Sequence, residues 1–124
     1  MQIYQSSDDY LYNLETSSPQ EARRLWKQSI KEHWNNKCAY CGSEENLTLD
    51  HITPKAKGGT DRITNLVCAC SSCNSDKGHQ YWVDWYRAKD FFTTDNLSAI
   101  VKWQNRIAEN ELAVYRPRKI NPMF

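Results

Sequence analysis

Five cysteines lie in the middle of the chain, and four of them have the spacing of metal ligands. Cys38 and Cys41 form one Cys-x-x-Cys unit, and Cys70 and Cys73 form a second. Two such units can bring four thiolates to one tetrahedral ion, so the pattern predicts a structural zinc site. A site closed by four thiolates has no open coordination position, and we expect this zinc to take no part in chemistry.

The fifth cysteine, Cys68, is not needed for this site and is predicted to be a small buried side chain. The 28 residues between Cys41 and Cys70 must then form a structured insertion. An odd number of cysteines argues against disulfides, and the first five residues lack a signal-peptide pattern. We therefore expect reduced thiols in a cytoplasmic protein without a membrane segment; the alternative to zinc is two unrelated thiol pairs.

Four polar residues lie between and beside the cysteine units: Asp50, His51, Asn65 and Asn74. Asp50 and Asn74 offer oxygen ligands of the kind that Mg²⁺ and Mn²⁺ take. The His51 imidazole can accept a proton near neutral pH, and the Asn65 amide can fix its tautomer. Neighbours on a strand point to opposite faces, so Asp50 and His51 can share a site only where the strand twists or ends. Singly, each residue is more typical of a surface pair, a turn or a cap.

Residues 38–78 strongly resemble the HNH nuclease family, whose core is the ββα-metal fold. The matching elements, in order, are Cys-x-x-Cys-Gly, Leu-Thr-Leu-Asp-His-Ile-Thr-Pro-Lys-Ala-Lys-Gly-Gly-Thr, Asn-Leu-Val and Cys-x-x-Cys-Asn-Ser-Asp-Lys-Gly. Many ordered elements match together, so chance agreement does not explain the resemblance. It covers about a third of the chain and does not extend to its flanks.

The resemblance implies a metal-dependent DNA endonuclease that hydrolyses phosphodiesters with one divalent ion. His51 matches the family's general base, and Asn65 matches the residue that orients its imidazole. Asp50 and Asn74 match the ligands of the catalytic Mg²⁺ or Mn²⁺. The third motif residue is often histidine; here it is Asn74, as in variants that end in asparagine. His79 could support the metal, but its position is more typical of a surface helix end.

Basic residues near the motif and at the end of the chain are predicted to contact DNA phosphates. They are Lys55, Lys57, Arg62, Lys77, Arg116, Arg118 and Lys119. The net charge is only +1, but all 16 lysines and arginines follow residue 22. A basic body of this kind fits nucleic acid, although charge alone fits a solvated surface equally well.

The fold class is predicted as α+β: a zinc-stabilised ββα-metal core flanked by N- and C-terminal helices. We expect one domain over residues 1–124, with the core motif at 38–79. Alternation predicts a strand at 47–52 and a second at 66–68, followed by a short helix that ends at Gly78.

An N-terminal helix is predicted at about 19–34, opened by a capping box of Ser18 and Glu21. Its basic stripe of Arg23, Lys27 and Lys31 is more typical of a solvated face than of a DNA-binding one. C-terminal helices are expected at about 80–110, with Asp95 as a cap, followed by a basic tail at 115–124. Aromatic residues at the start of this region are predicted to be core: Tyr81, Trp82, Trp85 and Tyr86.

Three functions compete at this point. The leading hypothesis is a DNA endonuclease, either a phage or intron homing enzyme or a restriction-type, McrA-like nuclease, acting as a monomer or homodimer. The main alternative is a non-catalytic zinc module that binds nucleic acid and would not need the four polar residues. The third is a structural or antitoxin-like protein whose tryptophans form an interface.

Overall fold

The computed structural model describes residues 4–12 and 16–118, with the backbone alone given for Tyr12 and for residues 107–118. Helices and strands follow one another as α1 (Asp8–Tyr12), α2 (Pro19–His33), β1 (Leu47–His51), β2 (Leu66–Cys70), α3 (Ser71–Lys77), α4 (Trp82–Arg87) and α5 (Thr94–Arg118). Two 3₁₀ turns, Lys55–Lys57 and Ile63–Asn65, lie between the strands.

An antiparallel hairpin of β1 and β2 forms the centre of the fold. Leu47 pairs with Cys70 and His51 pairs with Leu66. Every residue of β2 is buried, because helices cover the hairpin. The chain turns directly from β2 into α3, which packs on both strands and completes a ββα unit. The predicted α+β fold is thus confirmed.

Helix α2 begins where the sequence predicts, at Pro19 after the cap residue Ser18. The Ser18 hydroxyl accepts the Glu21 amide hydrogen at 3.2 Å. The other half of the predicted capping box does not form, because the Glu21 carboxylate instead binds the Arg24 guanidinium.

Helix α5 holds the hairpin from the other end of the chain. Its Trp103 indole N–H donates to the carbonyls of Ile63 (3.0 Å) and Leu66 (2.7 Å). The predicted cap Asp95 is wrong: the Thr93 hydroxyl accepts the Asn96 amide hydrogen at 3.1 Å. The helix continues to Arg118, so the predicted basic tail is partly helical.

Aromatic side chains of α4 belong to the core, as predicted for Trp82, Trp85 and Tyr86, which are all buried. Tyr81 is the exception: it precedes α4 and is 63% exposed. Within the described residues, no helix is both long and apolar enough to cross a bilayer.

Candidate active site

The four cysteines predicted as ligands meet at one point beside the hairpin. The sulfur atoms of Cys38, Cys41, Cys70 and Cys73 all lie within 4.8 Å of one another. Ligands about 2.3 Å from a tetrahedral zinc ion are about 3.8 Å apart, so this cluster fits one zinc ion. The 3.6 Å separation of the Cys41 and Cys70 sulfurs agrees with this spacing.

We call the two Cys-x-x-Cys units the cysteine knuckles, and backbone amides of both knuckles point at the sulfurs. The Cys38 sulfur accepts the amide hydrogens of Tyr40 (3.4 Å) and Cys41 (3.5 Å), and the Cys70 sulfur accepts that of Cys73 (3.4 Å). Such donors stabilise thiolates, the form that binds zinc. Cys68 is fully buried on β2, and burial raises the pKa of its thiol to about 11, consistent with a packing role.

A cleft of about 320 Å³ opens beside this cluster and collects most of the predicted polar residues. We call it the Asp50 cleft; it is lined by Asp50, His51, Pro54, Lys55, Asn74 and His79. Strand β1 ends at His51, and both His51 and its neighbour Asp50 line this cleft. The strand end required by the sequence argument is therefore present.

Asp50 is held by two buried partners. The Tyr40 hydroxyl donates to Asp50 Oδ2 at 2.7 Å, and the Lys77 ammonium lies 3.3 Å from both carboxylate oxygens. Lys77 also donates to the His51 carbonyl at 2.8 Å. Burial raises the pKa of Asp50 above its ordinary value, while the Lys77 charge and the Tyr40 hydrogen bond oppose this shift.

The prediction that Lys77 contacts DNA phosphates is wrong, because its side chain is completely buried. Lys77 lies on the face of α3 that packs against β1, where it pairs with Asp50. The Lys77 ammonium group therefore pairs with a carboxylate inside the fold.

Asn74 presents its amide group to the Asp50 cleft from α3. The amide nitrogen donates to the Thr48 hydroxyl at 3.0 Å and to the Leu49 carbonyl at 3.3 Å. Both hydrogen bonds start from the amide nitrogen. Among the described residues, the Asn74 amide oxygen is therefore left to act as an ion ligand. Together with the Asp50 carboxylate it forms a set of oxygen donors that fits Mg²⁺ or Mn²⁺.

His51 is fixed by a carboxylate that the sequence argument did not single out. Its Nε2 atom lies 2.8 Å from Asp61 Oδ1, and the Lys55 ammonium lies 3.0 Å from Asp61 Oδ2. The hydrogen bonds from His51 and Lys55 lower the pKa of Asp61. The His51 side chain is 31% exposed, so water and substrate can reach it.

Asn65 does not contact the His51 ring, contrary to the sequence-based expectation. Its amide oxygen accepts the Thr53 amide hydrogen at 2.8 Å, and its amide nitrogen donates to the carbonyls of Thr53 (3.0 Å) and Thr60 (2.8 Å). It thereby closes the loop between the strands. Gly59 lies so near this loop that an added Cβ would be 1.8 Å from the Thr53 carbonyl oxygen, which requires glycine there.

Comparison with known proteins agrees with this geometry. Residues 38–84 match the HNH endonuclease family. The comparison thus locates the resemblance to HNH endonucleases in this segment of the chain. The SPbeta prophage-derived protein YoqL of Bacillus subtilis (strain 168), named as an HNH endonuclease, is 31% identical over 97 residues, which cover 66% of this chain and 41% of YoqL.

A second relative is the CRISPR-associated endonuclease Cas9 of Corynebacterium diphtheriae. It is 40% identical over 65 residues, which cover 49% of this chain and 6% of that protein. The chain thus spans less than half the length of either relative.

The remaining predicted phosphate contacts either lie exposed on the loop between the strands or fall outside the described side chains. Lys57 and Arg62 are exposed on the loop between the strands. Arg116 and Arg118 are in α5, where only the backbone is described, and Lys119 lies outside the described residues.

Three site residues of the HNH segment were missed by the sequence argument: Tyr40, Asp61 and Thr48. Tyr40 lies inside the first cysteine pair and Asp61 beside the Gly58-Gly59 turn. Alternation along β1 places Thr48 on the same face as Asp50, which is a usable signal. No comparable local pattern identifies Asp61, because it reaches His51 across the loop.

Proposed function

We propose that this chain is a metal-dependent DNA endonuclease in which His51 is the general base. The observation that carries the proposal is the meeting of Asp50, His51 and Asn74 in one cleft beside the four-cysteine cluster. The family of the segment supports the same reaction class. A non-catalytic zinc module would have no need for this arrangement.

Asp61 sets the tautomer of the base in this proposal. If Nε2 carries the hydrogen and donates it to Asp61, the lone pair is on Nδ1. Nδ1 then takes a proton from water, the water oxygen forms a bond to phosphorus, and the bond from phosphorus to the leaving sugar oxygen breaks. The Asp61 carboxylate stabilises the imidazolium formed in this step.

Asp50 and Asn74 would hold one Mg²⁺ or Mn²⁺ ion, with Lys77 and Tyr40 fixing the Asp50 carboxylate. Such an ion supplies positive charge for the phosphate and the leaving oxygen. Asn65 is a positioning residue in this scheme, since it shapes the loop that carries Lys55 and Asp61. The four-cysteine site, if loaded with zinc, holds the knuckles together without joining the reaction.

DNA is the proposed partner, with the enzyme acting as a monomer or a homodimer. Of the two enzyme types considered, the phage or intron homing type is favoured by the likeness to a prophage-derived protein. A restriction-type, McrA-like role is the alternative, and a search for the DNA site that the enzyme cuts would distinguish the two types.

Plasmid nicking tests the proposal. Purified protein with Mg²⁺ or Mn²⁺ should relax supercoiled plasmid, and a mild chelator should stop this while leaving the helical circular dichroism intact. The reason is unequal affinity, because one carboxylate and one amide hold Mg²⁺ far more weakly than four thiolates hold zinc. Full nicking in excess chelator would contradict the one-metal mechanism, and DNA binding without any nicking would favour the zinc module.

A further inference from the structure

A second cleft, of about 460 Å³, shares His51 with the Asp50 cleft. We call it the Trp26 cleft; helix α2 lines it with Trp26, Lys27 and Lys31, and the hairpin region with Leu49, His51 and Asp61. Its volume is within the range of about 300–1,000 Å³ typical of small-ligand sites. The cleft therefore has room for one nucleotide unit beside the proposed base.

Among the described residues, no carboxylate pairs with the cations of the Trp26 cleft. Elsewhere on α2, Arg24 is bound to Glu21, and Gln28 links Arg24 to Glu32. Lys27 and Lys31 have neither an ion pair nor a side-chain hydrogen bond in the described part of the chain. Two unpaired ammonium groups at one cleft attract an anion.

Asp61 is the one carboxylate of this cleft, and it does not cancel these charges. Its oxygens are already bound to His51 at 2.8 Å and to Lys55 at 3.0 Å. Within the described residues, Lys27 and Lys31 are therefore left available to an anionic ligand.

The cleft also has an apolar surface that the core does not cover. Trp26, Leu47 and Leu49 are each only half-buried, and the Trp26 indole N–H is anchored to the Tyr4 carbonyl at 2.9 Å. An anchored indole beside free ammonium groups is the combination that binds a base together with its phosphate.

We propose that the Trp26 cleft binds the nucleotide next to the cut phosphate, with its base on the apolar surface and a neighbouring phosphate on Lys27 and Lys31. This assignment rests on the proposed function for the position of the cut phosphate at His51. It gives Lys27 and Lys31, two of the three residues of the basic stripe of α2, a DNA-binding role in place of the solvated face expected from the sequence.

Binding of a fluorescein-labelled single-stranded thymidine oligonucleotide, followed by anisotropy without added divalent cation, tests the phosphate contacts. The double variant Lys27→Ala/Lys31→Ala should bind roughly tenfold more weakly, and its salt slope should fall by about 0.7, the value for one lost phosphate contact on a single strand. The matched control is Arg24→Ala/Lys37→Ala, which removes two cations that are paired with Glu21 and Glu44. It should bind like the unmodified chain.

Tryptophan fluorescence tests the base contact. The oligonucleotide should quench it, Trp26→Phe should lose most of that quenching, and Trp34→Phe should keep it. An abasic oligonucleotide should not quench the tryptophan fluorescence of the unmodified chain or of either variant. Circular dichroism and zinc content show that each variant is folded.

Equal affinity and salt slope in the two double variants would overturn the proposal, as would undiminished quenching in Trp26→Phe. Binding is measured without hydrolysis. A failure of the cleft assignment can therefore be distinguished from a failure of the proposed endonuclease function. A chain that binds as described but never nicks plasmid contradicts the endonuclease function alone. A chain that nicks plasmid while Lys27→Ala/Lys31→Ala binds DNA normally contradicts the cleft assignment alone.

Discussion

His51 lies at the last position of β1, where the two clefts meet. Its backbone is tied to the core through Lys77, and its ring is tied to the surface through Asp61. The first contact fixes where the residue lies, and the second fixes which way the imidazole faces. As the proposed base, a His51 held at both ends would need little reorganisation before it accepts a proton.

Replacing Asp61 with alanine removes the partner of the His51 ring and should slow cleavage by roughly 10–100-fold, the usual loss when an orienting partner of a histidine is removed. The protein has only three histidines, so nitrogen-15 spectra can report the His51 tautomer directly. We expect a mixture of tautomers in Asp61→Ala and a single one in the unmodified chain.

Lys55→Ala is the matched control for Asp61→Ala, because it removes the other contact of Asp61 and leaves the hydrogen bond to His51. It should keep the His51 tautomer. An Asp61→Ala variant with unchanged nitrogen-15 signals and unchanged rate would show that this carboxylate does not orient the base.

Lys77→Met should destabilise the fold, because it leaves the buried Asp50 carboxylate without its cation. Breaking a buried ion pair on one side costs about 3–5 kcal/mol of unfolding free energy. Denaturant unfolding of the zinc-loaded protein measures this loss, and the double variant Lys77→Met/Asp50→Asn should recover a large part of it. Unchanged stability of Lys77→Met together with weaker DNA binding would restore the phosphate contact that the sequence suggested.

At the scale of elements, the two cysteine knuckles join the hairpin to the chain on either side of it. Cys38 and Cys41 precede β1, while Cys70 ends β2 and also caps α3 through its sulfur. The cluster therefore links a loop, a strand and a helix. We expect folding to depend on the ion that these thiolates hold.

Cys73→Ser should unfold or aggregate, because a structural zinc ion contributes directly to the free energy of folding. Cys68→Ser is the control: it is equally buried, but it should stay folded with one zinc per chain and lose about 1–3 kcal/mol for a buried hydroxyl that lacks a partner. Elemental analysis and circular dichroism report both results. A folded, soluble Cys73→Ser protein, or unmodified protein free of zinc, would contradict the structural role of the cluster.

Local patterns in the sequence predicted the main elements well. Pro19 after Ser18 marks the start of α2, and Gly78 marks the end of α3. The second strand is two residues longer than predicted, since Cys70 still pairs with Leu47 in the ladder. Helix α1 was not predicted; five residues with two adjacent aspartates carry too little periodicity to reveal a helix.

Contacts across the loop between the strands could not be predicted in the same way. The meeting of Asp50 with Lys77, and of His51 with Asp61, depends on how the hairpin, α3 and the loop fold against one another. A motif gives the order of residues along the chain, whereas these pairs are set by tertiary packing. For this reason the sequence assigned Lys77 to the surface and Asn65 to the His51 ring.

At the scale of the whole molecule, the four cysteines, the hairpin and the outer helices form a frame around two clefts that share His51. Helix α2 supplies the cations of the Trp26 cleft, and α5 holds the hairpin through Trp103. The frame does not depend on the His51 imidazole, because its hydrogen bond goes to a residue on the surface. We therefore expect the fold to survive the loss of the His51 side chain.

The most direct test compares plasmid nicking by the unmodified chain and by His51→Ala, each with Mg²⁺ and with bound zinc and DNA affinity measured in the same samples. We predict that His51→Ala folds, keeps its zinc and its affinity for DNA, and nicks roughly 10²–10⁴-fold more slowly, the scale of a lost general base. Nicking at the normal rate by a zinc-loaded His51→Ala protein would contradict the assignment of His51 as the base.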